Sequence, residues 1–341
     1  MATIEALRNT SVPGLRLRPY AGEADLPDMV RVRNAEAEAD GLHHRTTVEE
    51  LRSHLAHASA AFDPARDITI AELDGRIVGS SSREVVDTTD GFREHRMDGE
   101  VDPAFRRHGI GAALLSENER RHRELAADES RAGAANGANA PTRIFGSWSS
   151  EGQAGNVALL EGCGFTVARW FFEMVRPTLD DIPDVPMPDG LELRPIDRSL
   201  AKQVWDADVE AFADHWGGFD GSDAHLQRWL ENPNTDLSLW RIAFDGDEVA
   251  GGIINGIDAA QNEALGLRRG WLNSVFTRRA WRRRGLATAL IAESLRALRE
   301  RGMTSAALGV DAANPSGALG LYEGTGFQVD KRSNAWRKDF S

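Results

Sequence analysis

The chain of 341 residues has one cysteine, two tyrosines and no long apolar run. A single cysteine, Cys163, excludes an internal disulfide and any site that needs two thiolates. No stretch approaches the ~20 apolar residues that a membrane-spanning helix needs. The first residues also lack the apolar segment of a secretory signal. These absences predict a cytoplasmic protein that does not enter a membrane.

The charge balance is acidic, with a formal net charge of −13. A nucleic-acid-binding surface is normally basic, so we expect no nucleic-acid partner. The arginines are concentrated in short clusters, which suits a small polyanionic ligand. The nine histidines form no H-x-x-x-H or H-E-x-x-H pattern, and no metal site is predicted.

The sequence repeats itself once. PGLRLRP at residues 13–19 returns as DGLELRP at 189–195, and RRHGIG at 106–111 returns as RRRGLA at 282–287, both 176 positions later. The duplication predicts two domains, residues 1–178 and 188–341. The proline-rich segment 176–190 is expected to be a stiff, non-helical linker. The first copy is longer because of residues 126–142, an Ala/Gly-rich segment that predicts an extended loop.

Each copy follows the same coarse order. An opening strand leads to helices, then to a hairpin with Asp-Gly turn signals at Asp74-Gly75 and Asp245-Gly246. A further strand enters the arginine-rich loop, which opens an amphipathic helix, and a strand, a helix and a last strand follow. This order predicts a mixed α/β fold in each copy.

The arginine-rich loop is the strongest functional signal. A helix N-terminus presents free backbone N–H groups and about half a positive charge, glycine lets an anion approach them, and arginine adds donors for phosphate oxygens. The loop residues are therefore candidate cofactor-binding residues. They are Arg106, Arg107, His108, Gly109, Ile110 and Gly111 in the first copy, and Arg282, Arg283, Arg284, Gly285, Leu286 and Ala287 in the second.

Together with the later Tyr-x-x-x-Gly-Phe, this loop resembles the Q/R-x-x-G-x-G/A loop of GNAT (GCN5-related) N-acetyltransferases. The resemblance implies two tandem GNAT-like acyl-CoA acyltransferase domains, like those of mycothiol synthase-like actinobacterial proteins, with acetyl-CoA as co-substrate. It also implies that the strand before the loop contacts the pantetheine arm through its main chain. Those strand residues are Val275, Phe276 and Thr277 in the second copy and Val101 in the first.

The same resemblance implies a general acid and a pantetheine contact. Tyr322 matches the tyrosine that protonates the departing sulfur, and Asn314 matches the asparagine that begins the preceding helix. A core tyrosine and a simple helix cap are the alternatives. The first copy has Leu160 and Gly152 at these positions, so the second copy is expected to be catalytic. The first is expected to bind cofactor without turnover or to serve as a scaffold.

The acceptor side is less defined. Asp214 and His215 are candidate substrate-binding residues, because a histidine can deprotonate an ammonium group through water; a packing cluster is the alternative. Asp98, Glu100 and Asp102 precede the first loop and are either a base or a solvated strand end. The second copy has no carboxylate directly before its loop.

These observations predict an acetyl-CoA-dependent N-acetyltransferase that modifies a primary amine of a small molecule. Direct attack of the amine on the thioester is expected, without an acyl-enzyme. A catalytically silent CoA-binding sensor or scaffold and a protein-lysine acetyltransferase are the alternatives. The chain is expected to be a monomer or a homodimer.

Overall fold

The computed structural model describes residues 12–42, 45–56, 61–135, 141–213, 215–217, 221–232, 234–313 and 317–340. The chain forms two compact units. Unit 1 contains residues 1–169 and 333–341, and unit 2 contains residues 170–332.

The helices and strands alternate as the sequence predicts. The helices are α1 (Leu26–Ala39), α2 (Val48–Ala56), α3 (Pro64–Asp67), α4 (Ile110–Ala135), α5 (Ala154–Gly162), α6 (Ala201–Phe212), α7 (Asp223–Glu231), α8 (Ala259–Leu265), α9 (Leu286–Glu300) and α10 (Ala318–Gly324). The strands are β1 (Leu15–Pro19), β2 (Ile68–Leu73), β3 (Arg76–Asp87), β4 (Phe92–Val101), β5 (Thr142–Ser150), β6 (Thr166–Arg176), β7 (Glu192–Arg194), β8 (Arg241–Asp245), β9 (Glu248–Gly256), β10 (Arg269–Thr277), β11 (Ser305–Asp311) and β12 (Gln328–Asp339).

The two units have the same sheet topology. In unit 1 the strand order is β1-β2-β3-β4-β5-β12, and in unit 2 it is β7-β8-β9-β10-β11-β6. In each unit the fourth and fifth strands pair in parallel and the other pairs are antiparallel. The predicted hairpin turns lie between β2 and β3 and between β8 and β9, with Gly75 at φ 78° and Gly246 at φ 56°. The mixed α/β fold predicted for both copies is confirmed.

The last strand of each copy joins the other unit's sheet. The β6 residues Phe171–Arg176 pair with β11 in unit 2, and the β12 residues Ser333–Asp339 pair with β5 in unit 1. Met174 of β6 and Trp336 of β12 are nearly fully buried in the units that their strands join. Each compact unit therefore contains the last strand of the other copy instead of its own. The repeat in the sequence cannot reveal this exchange, because both copies end alike.

Two segments outside the sheets differ in part from what the sequence predicts. Residues 126–135 continue helix α4 rather than forming an extended loop, since alanine is the strongest helix former. The proline-rich segment after β6 is non-helical as predicted, but it is packed against unit 2. Leu179 is 1% exposed in the core of that unit, and Arg176 pairs with Asp181 at 2.8 Å.

The predicted amphipathic helix of the second copy is confirmed. Its stripe is completely or almost completely buried against the sheet: Leu286, Leu290, Ile291, Ser294 and Leu295. Cys163 is also buried, in the unit 1 cluster that contains Phe145 and Trp336. Among the described residues, no helix is both long and apolar enough to cross a membrane.

Candidate functional site

In both units the arginine–glycine loop joins the fourth strand of the sheet to a long helix. In unit 2 the loop follows β10 and a short 3₁₀ turn at Arg279–Trp281, and it runs into α9. Unit 1 repeats this with β4, a 3₁₀ turn at Pro103–Phe105 and α4. The duplicated sequence therefore forms the same strand–loop–helix unit twice.

The loop has the same unusual backbone in both copies. Gly109 and Gly285 have φ of 89° and 83°, in the left-handed region where glycine is favoured. Two residues earlier, Arg107 and Arg283 have φ of 66° and 62°. A non-glycine residue with positive φ is uncommon, so its recurrence at matching positions shows that the loop shape itself is duplicated.

The helix that follows begins without a side-chain cap. The carbonyl of Gly285 accepts the first helical hydrogen bond, from the Ala289 N–H at 3.1 Å, and no side chain caps α9. A Cβ at residue 285 would meet nothing within 4 Å. The open space and the N–H groups of the first turn leave room for an anion.

Gly111 has a different reason to be glycine. A Cβ there would lie 3.2 Å from the Leu159 side chain. The residue therefore allows α4 to pack closely against α5. The small side chain serves this packing in addition to any role beside a ligand.

The arginines of the loop divide into two groups. The Arg282 side chain donates to the Thr277 carbonyl at 2.9 Å and the Ala211 carbonyl at 3.3 Å. Arg106 pairs with both carboxylate oxygens of Asp40, at 2.6 and 2.8 Å. These two guanidinium groups hold the loop in place.

Arg107 and Arg283 are the second group. Both are exposed, and their side chains have no hydrogen bond or ion pair among the described residues. Their guanidinium groups therefore remain available to a phosphate. In the same loops, Arg284 donates to the Asp189 carbonyl at 3.2 Å, and the His108 Nδ1 lies 3.3 Å from the Phe105 carbonyl.

Several predicted cofactor residues have side chains in the core. Leu286 and Ile110 are 1% exposed, and Phe276 is 3% exposed. Val275 packs against the same core cluster as Leu286. Leu286, Ile110 and Phe276 can therefore contact a ligand only through their main chain, whereas Val275 is partly buried.

The parallel strand pair comes apart just before the loop. β10 and β11 pair from Arg269↔Ser305 to Leu272↔Leu308, and no ladder joins the remaining residues of these two strands. A register shift between Leu272 and Ser274 marks the start of the gap. In unit 1 the β4–β5 ladder ends similarly, at Arg96↔Gly146. The gap leaves the main chain of residues 273–277 free to pair with an extended ligand.

Tyr322 lies in α10 and is 6% exposed within the core cluster of unit 2. Its ring meets Phe327 edge-on, with 6.2 Å between centroids. Burial raises the pKa of its phenol to about 12. The hydroxyl makes no hydrogen bond within the described part of the chain. The matching Leu160 of unit 1 is 1% exposed and packs in its own core cluster.

Two predicted residues, Asn314 and Asp214, lie outside the described residues. His215 is half-buried after the end of α6, and its N–H donates to the Phe212 carbonyl at 2.8 Å. Its ring also packs against Phe212, with 4.1 Å between centroids. Such contacts are those of a packing cluster and are equally compatible with a binding residue.

Sequence reasoning missed a buried carboxylate in unit 2. Asp208 on α6 is fully buried, and one of its oxygens accepts a hydrogen bond from the Ser274 hydroxyl at 2.6 Å. The other oxygen has no hydrogen-bond partner among the described residues. Burial raises the pKa of Asp208 to about 6. The two residues are 66 positions apart, so no spacing rule could have paired them.

Sequence reasoning also missed the cavity of unit 1. It has a volume of about 1660 Å³ and contains the loop residues Gly109 and Gly111 as well as Asp98 and Glu100 of β4. Glu36 and Asp40 of α1 line it too. Asp98 and Glu100 were candidates from sequence, but the two helix carboxylates became visible only when the fold brought α1 to the strands.

The comparisons with known proteins agree with this geometry. The sequence model of the Acetyltransferase (GNAT) family matches residues 202–327. A mycothiol acetyltransferase of Salinispora arenicola is 28% identical over 89% of this chain and 90% of its own length. The chain belongs to the GNAT family.

Solved structures show the same tandem architecture. A GCN5-related N-acetyltransferase from Sphaerobacter thermophilus is 25% identical, with a TM-score of 0.68 and coverage of 96% of both chains. A tandem GNAT protein from the clavulanic acid biosynthesis pathway has a TM-score of 0.69 and 16% identity, and covers 96% of this chain and 99% of its own. This protein is a tandem GNAT-type acetyltransferase.

Proposed function

We propose that unit 2 transfers an acetyl group from acetyl-CoA to a primary amine of a small molecule. The observation that carries this proposal is the presence of three features in the same unit. These are the uncapped helix start at Gly285, the gap between β10 and β11, and a buried tyrosine of high pKa on the next helix. GNAT relatives named for mycothiol favour a small-molecule acceptor.

The residues of the loop fit a pyrophosphate. The face at Gly285 is open, and the N–H groups at the start of α9 and the exposed Arg283 are donors for phosphate oxygens. Residues 275–277 would pair with the pantetheine arm through their main chain. Bound acetyl-CoA supplies the acyl group as a thioester, and Asn314 is the further proposed pantetheine contact.

Tyr322 is the proposed general acid. Its raised pKa keeps the phenol protonated at neutral pH. The pKa of an ordinary thiol is about 8.5, so complete transfer of the proton to the departing sulfur is uphill. We therefore expect the largest contribution to be a hydrogen bond that strengthens as negative charge develops on the sulfur.

The acceptor amine must be neutral when it attacks. His215, with Asp214 beside it in sequence, is the proposed acceptor-side residue of unit 2. An imidazole with an ordinary pKa of about 6.5 can take a proton from an ammonium group through water. The acidic balance of the chain favours a cationic acceptor by long-range attraction.

A thiol-release assay tests the proposal directly. Acetyl-CoA is incubated with the wild-type protein and a panel of amines that includes glucosamine, spermidine and a lysine peptide, and free CoA is measured. Release with a small amine supports the proposal, and release with the lysine peptide alone favours a protein substrate. Binding of acetyl-CoA without release for any amine would establish the sensor function instead.

A further inference from the structure

A buried guanidinium holds the last turn of the helix that carries Tyr322. Arg176 ends strand β6 and is 5% exposed. It donates to the Thr325 carbonyl at 2.7 Å, and to the carbonyl and carboxylate of Asp181 at 3.1 and 2.8 Å. Thr325 is the residue at which α10 ends. The last carbonyls of a helix lack helical partners, so an arginine here satisfies one of them and fixes its place.

The glycine after the helix makes room for this guanidinium. Gly326 has φ of 88°, in the left-handed region. A Cβ at this position would overlap with the Nη1 atom of Arg176. The glycine of the Tyr-x-x-x-Gly-Phe sequence is therefore required for two reasons, the backbone turn and the close approach of the arginine.

The residues of this turn converge on Tyr322. The Tyr322 carbonyl accepts hydrogen bonds from the Thr325 N–H, the Thr325 hydroxyl and the Phe327 N–H, each at 3.0 Å. Thr325 and Phe327 are both nearly fully buried. Helix α10 has only seven residues, and a helix of that length is not stable by itself. The orientation of Tyr322 therefore depends on the contacts at the end of its helix.

We propose that Arg176 is a positioning residue for Tyr322, on which it acts through the Thr325 carbonyl. The inference rests on the proposed role of Tyr322 as the general acid of unit 2 and adds a residue on which that role depends. A reacting group must be held within about 0.5 Å of its productive position, and a displacement of about 1 Å can cost roughly 100-fold in rate. Without the guanidinium, the last turn of α10 is free to move by such distances.

Unit 1 uses the matching side chain differently. Its helix α5 is followed by the same left-handed glycine, Gly164 at φ 85°. Lys338 matches Arg176, because each lies 12 residues after the glycine of its own copy. The ammonium group of Lys338 pairs with Glu119 of helix α4. In the unit whose helix carries leucine, the matching basic residue is therefore bound elsewhere.

The exchange of last strands brings Arg176 to this place. The residue belongs to the first copy in sequence, but β6 lies in the sheet of unit 2, where Arg176 is in register with Ala306. The first copy therefore supplies part of the framework around Tyr322, whether or not its own loop binds a cofactor.

Tyrosine NMR tests the contact without any acyl transfer. The chain has only two tyrosines, Tyr20 and Tyr322, so isotope-labelled tyrosine in the full-length protein gives two sets of ring signals, and Tyr322→Phe assigns them. Arg176→Met keeps the length of the side chain but removes its donors. It should shift or broaden the Tyr322 signals and leave those of Tyr20 unchanged. Arg176→Lys keeps a cation and a donor, and should restore most of the wild-type spectrum.

The rate of CoA release is the second readout. In Arg176→Met we expect kcat to fall about tenfold, and the KM for acetyl-CoA to stay within about twofold, because the phenol is displaced while the loop is untouched. A residue that only stabilises the fold would not produce this split. In the Tyr322→Phe background, Arg176→Met should cause no further loss, since residues that act as a unit are not additive. Losses that multiply would show that Arg176 does not act through the phenol.

Arg269→Met is the matched control for Arg176→Met. Arg269 is also largely buried in unit 2, with 15% of its side chain exposed, but its guanidinium lies 3.7 Å from Glu173 of β6. The Tyr322 signals and kcat should therefore stay close to wild type. Equal effects of the two substitutions would attribute them to the general loss of a buried arginine.

Gly326→Ala tests the contact even if Arg176→Met does not fold, because its methyl group displaces the guanidinium. Its control is Gly302→Ala, which has similar backbone strain at φ 82° but lies in open space. Unchanged Tyr322 signals in both Arg176→Met and Gly326→Ala, or equal changes in Gly302→Ala, would overturn the positioning role. Absence of CoA release by the wild type with every amine would instead overturn the proposed function, which the NMR signals do not measure.

Discussion

The two units share a sheet order, a loop and a helix start, yet they differ in the groups that surround the loop. Unit 2 has a buried tyrosine of high pKa where unit 1 has Leu160, whereas unit 1 has a large carboxylate-lined cavity beside its loop. Both loops keep the left-handed arginine and glycine. The comparison shows that the loop backbone was retained in both copies while the side chains around it diverged.

The largest expected effect is that of Tyr322→Phe. Loss of the phenol should lower the rate of CoA release about 10²- to 10⁴-fold, which is the usual range for a positioned acid. Acetyl-CoA affinity should remain close to wild type because the loop is untouched. The control is Tyr20→Phe, which alters the only other tyrosine and lies in unit 1. Full activity of Tyr322→Phe would remove the main chemical difference between the units.

Replacing one loop glycine at a time tests how many of the two loops bind acetyl-CoA. Gly285→Glu and Gly109→Glu each place a negative side chain at the helix start, and each should reduce the calorimetric stoichiometry of acetyl-CoA from two to one. Gly302→Glu is the control, because Gly302 has φ of 82° and open space, but lies at the other end of α9. A stoichiometry of two in Gly285→Glu would contradict our assignment of that loop.

A buried pair of histidines in unit 1 should respond to acid. In unit 1 the Nδ1 atoms of the buried His95 and His122 are 3.0 Å apart, and the His122 Nε2 lies 2.9 Å from the Arg96 carbonyl. His122 therefore donates through Nε2 and accepts from His95 through Nδ1, so the His122 ring is neutral. The His95 Nε2 is buried and has no hydrogen-bond partner in the described part of the chain. Burial lowers the pKa of His95 to about 3 and that of His122 to about 4.

Because these pKa values are lowered on folding, their stability contribution is present above about pH 6.5 and is lost as the pH falls toward 4. Between pH 7 and pH 5 the loss should be about 2 kcal/mol per histidine. Pulse proteolysis in urea, with fragments assigned to each unit, measures this. His95→Leu/His122→Leu should reduce the loss in unit 1, and an unchanged loss would attribute it to other groups.

The smallest effect is expected at Ser274. Removing its hydroxyl in Ser274→Ala leaves Asp208 without a donor, raises its pKa further and should lower the unfolding free energy of unit 2 by about 1–2 kcal/mol at pH 7. Since the pKa of Asp208 is raised on folding, its contribution is greatest at low pH and is lost as pH rises through about 6. The deficit should therefore decrease at pH 5.

Ser294→Ala is the matched control for Ser274→Ala. Ser294 is also buried, but its partner is the neutral Asn255 amide at 2.9 Å. Its loss should destabilise unit 2 equally at both pH values. The same pH dependence in both variants would exclude Asp208 as its origin.

Local sequence features predicted much of the fold and the centre of the site. Asp-Gly pairs marked both hairpins, the spacing of Leu286, Leu290 and Ile291 predicted the buried face of α9, and the repeated glycine located the loop. These features depend on the backbone conformation that single residues prefer and on short-range periodicity, and both can be read from a sequence. The extended loop predicted for residues 126–142 was wrong at residues 126–135, which continue α4, because the alanines of this segment favour a helix more than its glycines and asparagines oppose one.

By itself the sequence determined that the chain is duplicated, where each arginine–glycine loop lies, and that Tyr322 has no counterpart in the first copy. Only the tertiary structure decided which unit each last strand joins, because both copies end in similar strands that can complete either sheet. It also decided that Arg106 is paired with Asp40 while Arg107 stays open, and that Glu36 meets Asp98 in one cavity. These pairings join residues distant along the chain, and their energies depend on burial and distance, which no sequence spacing contains.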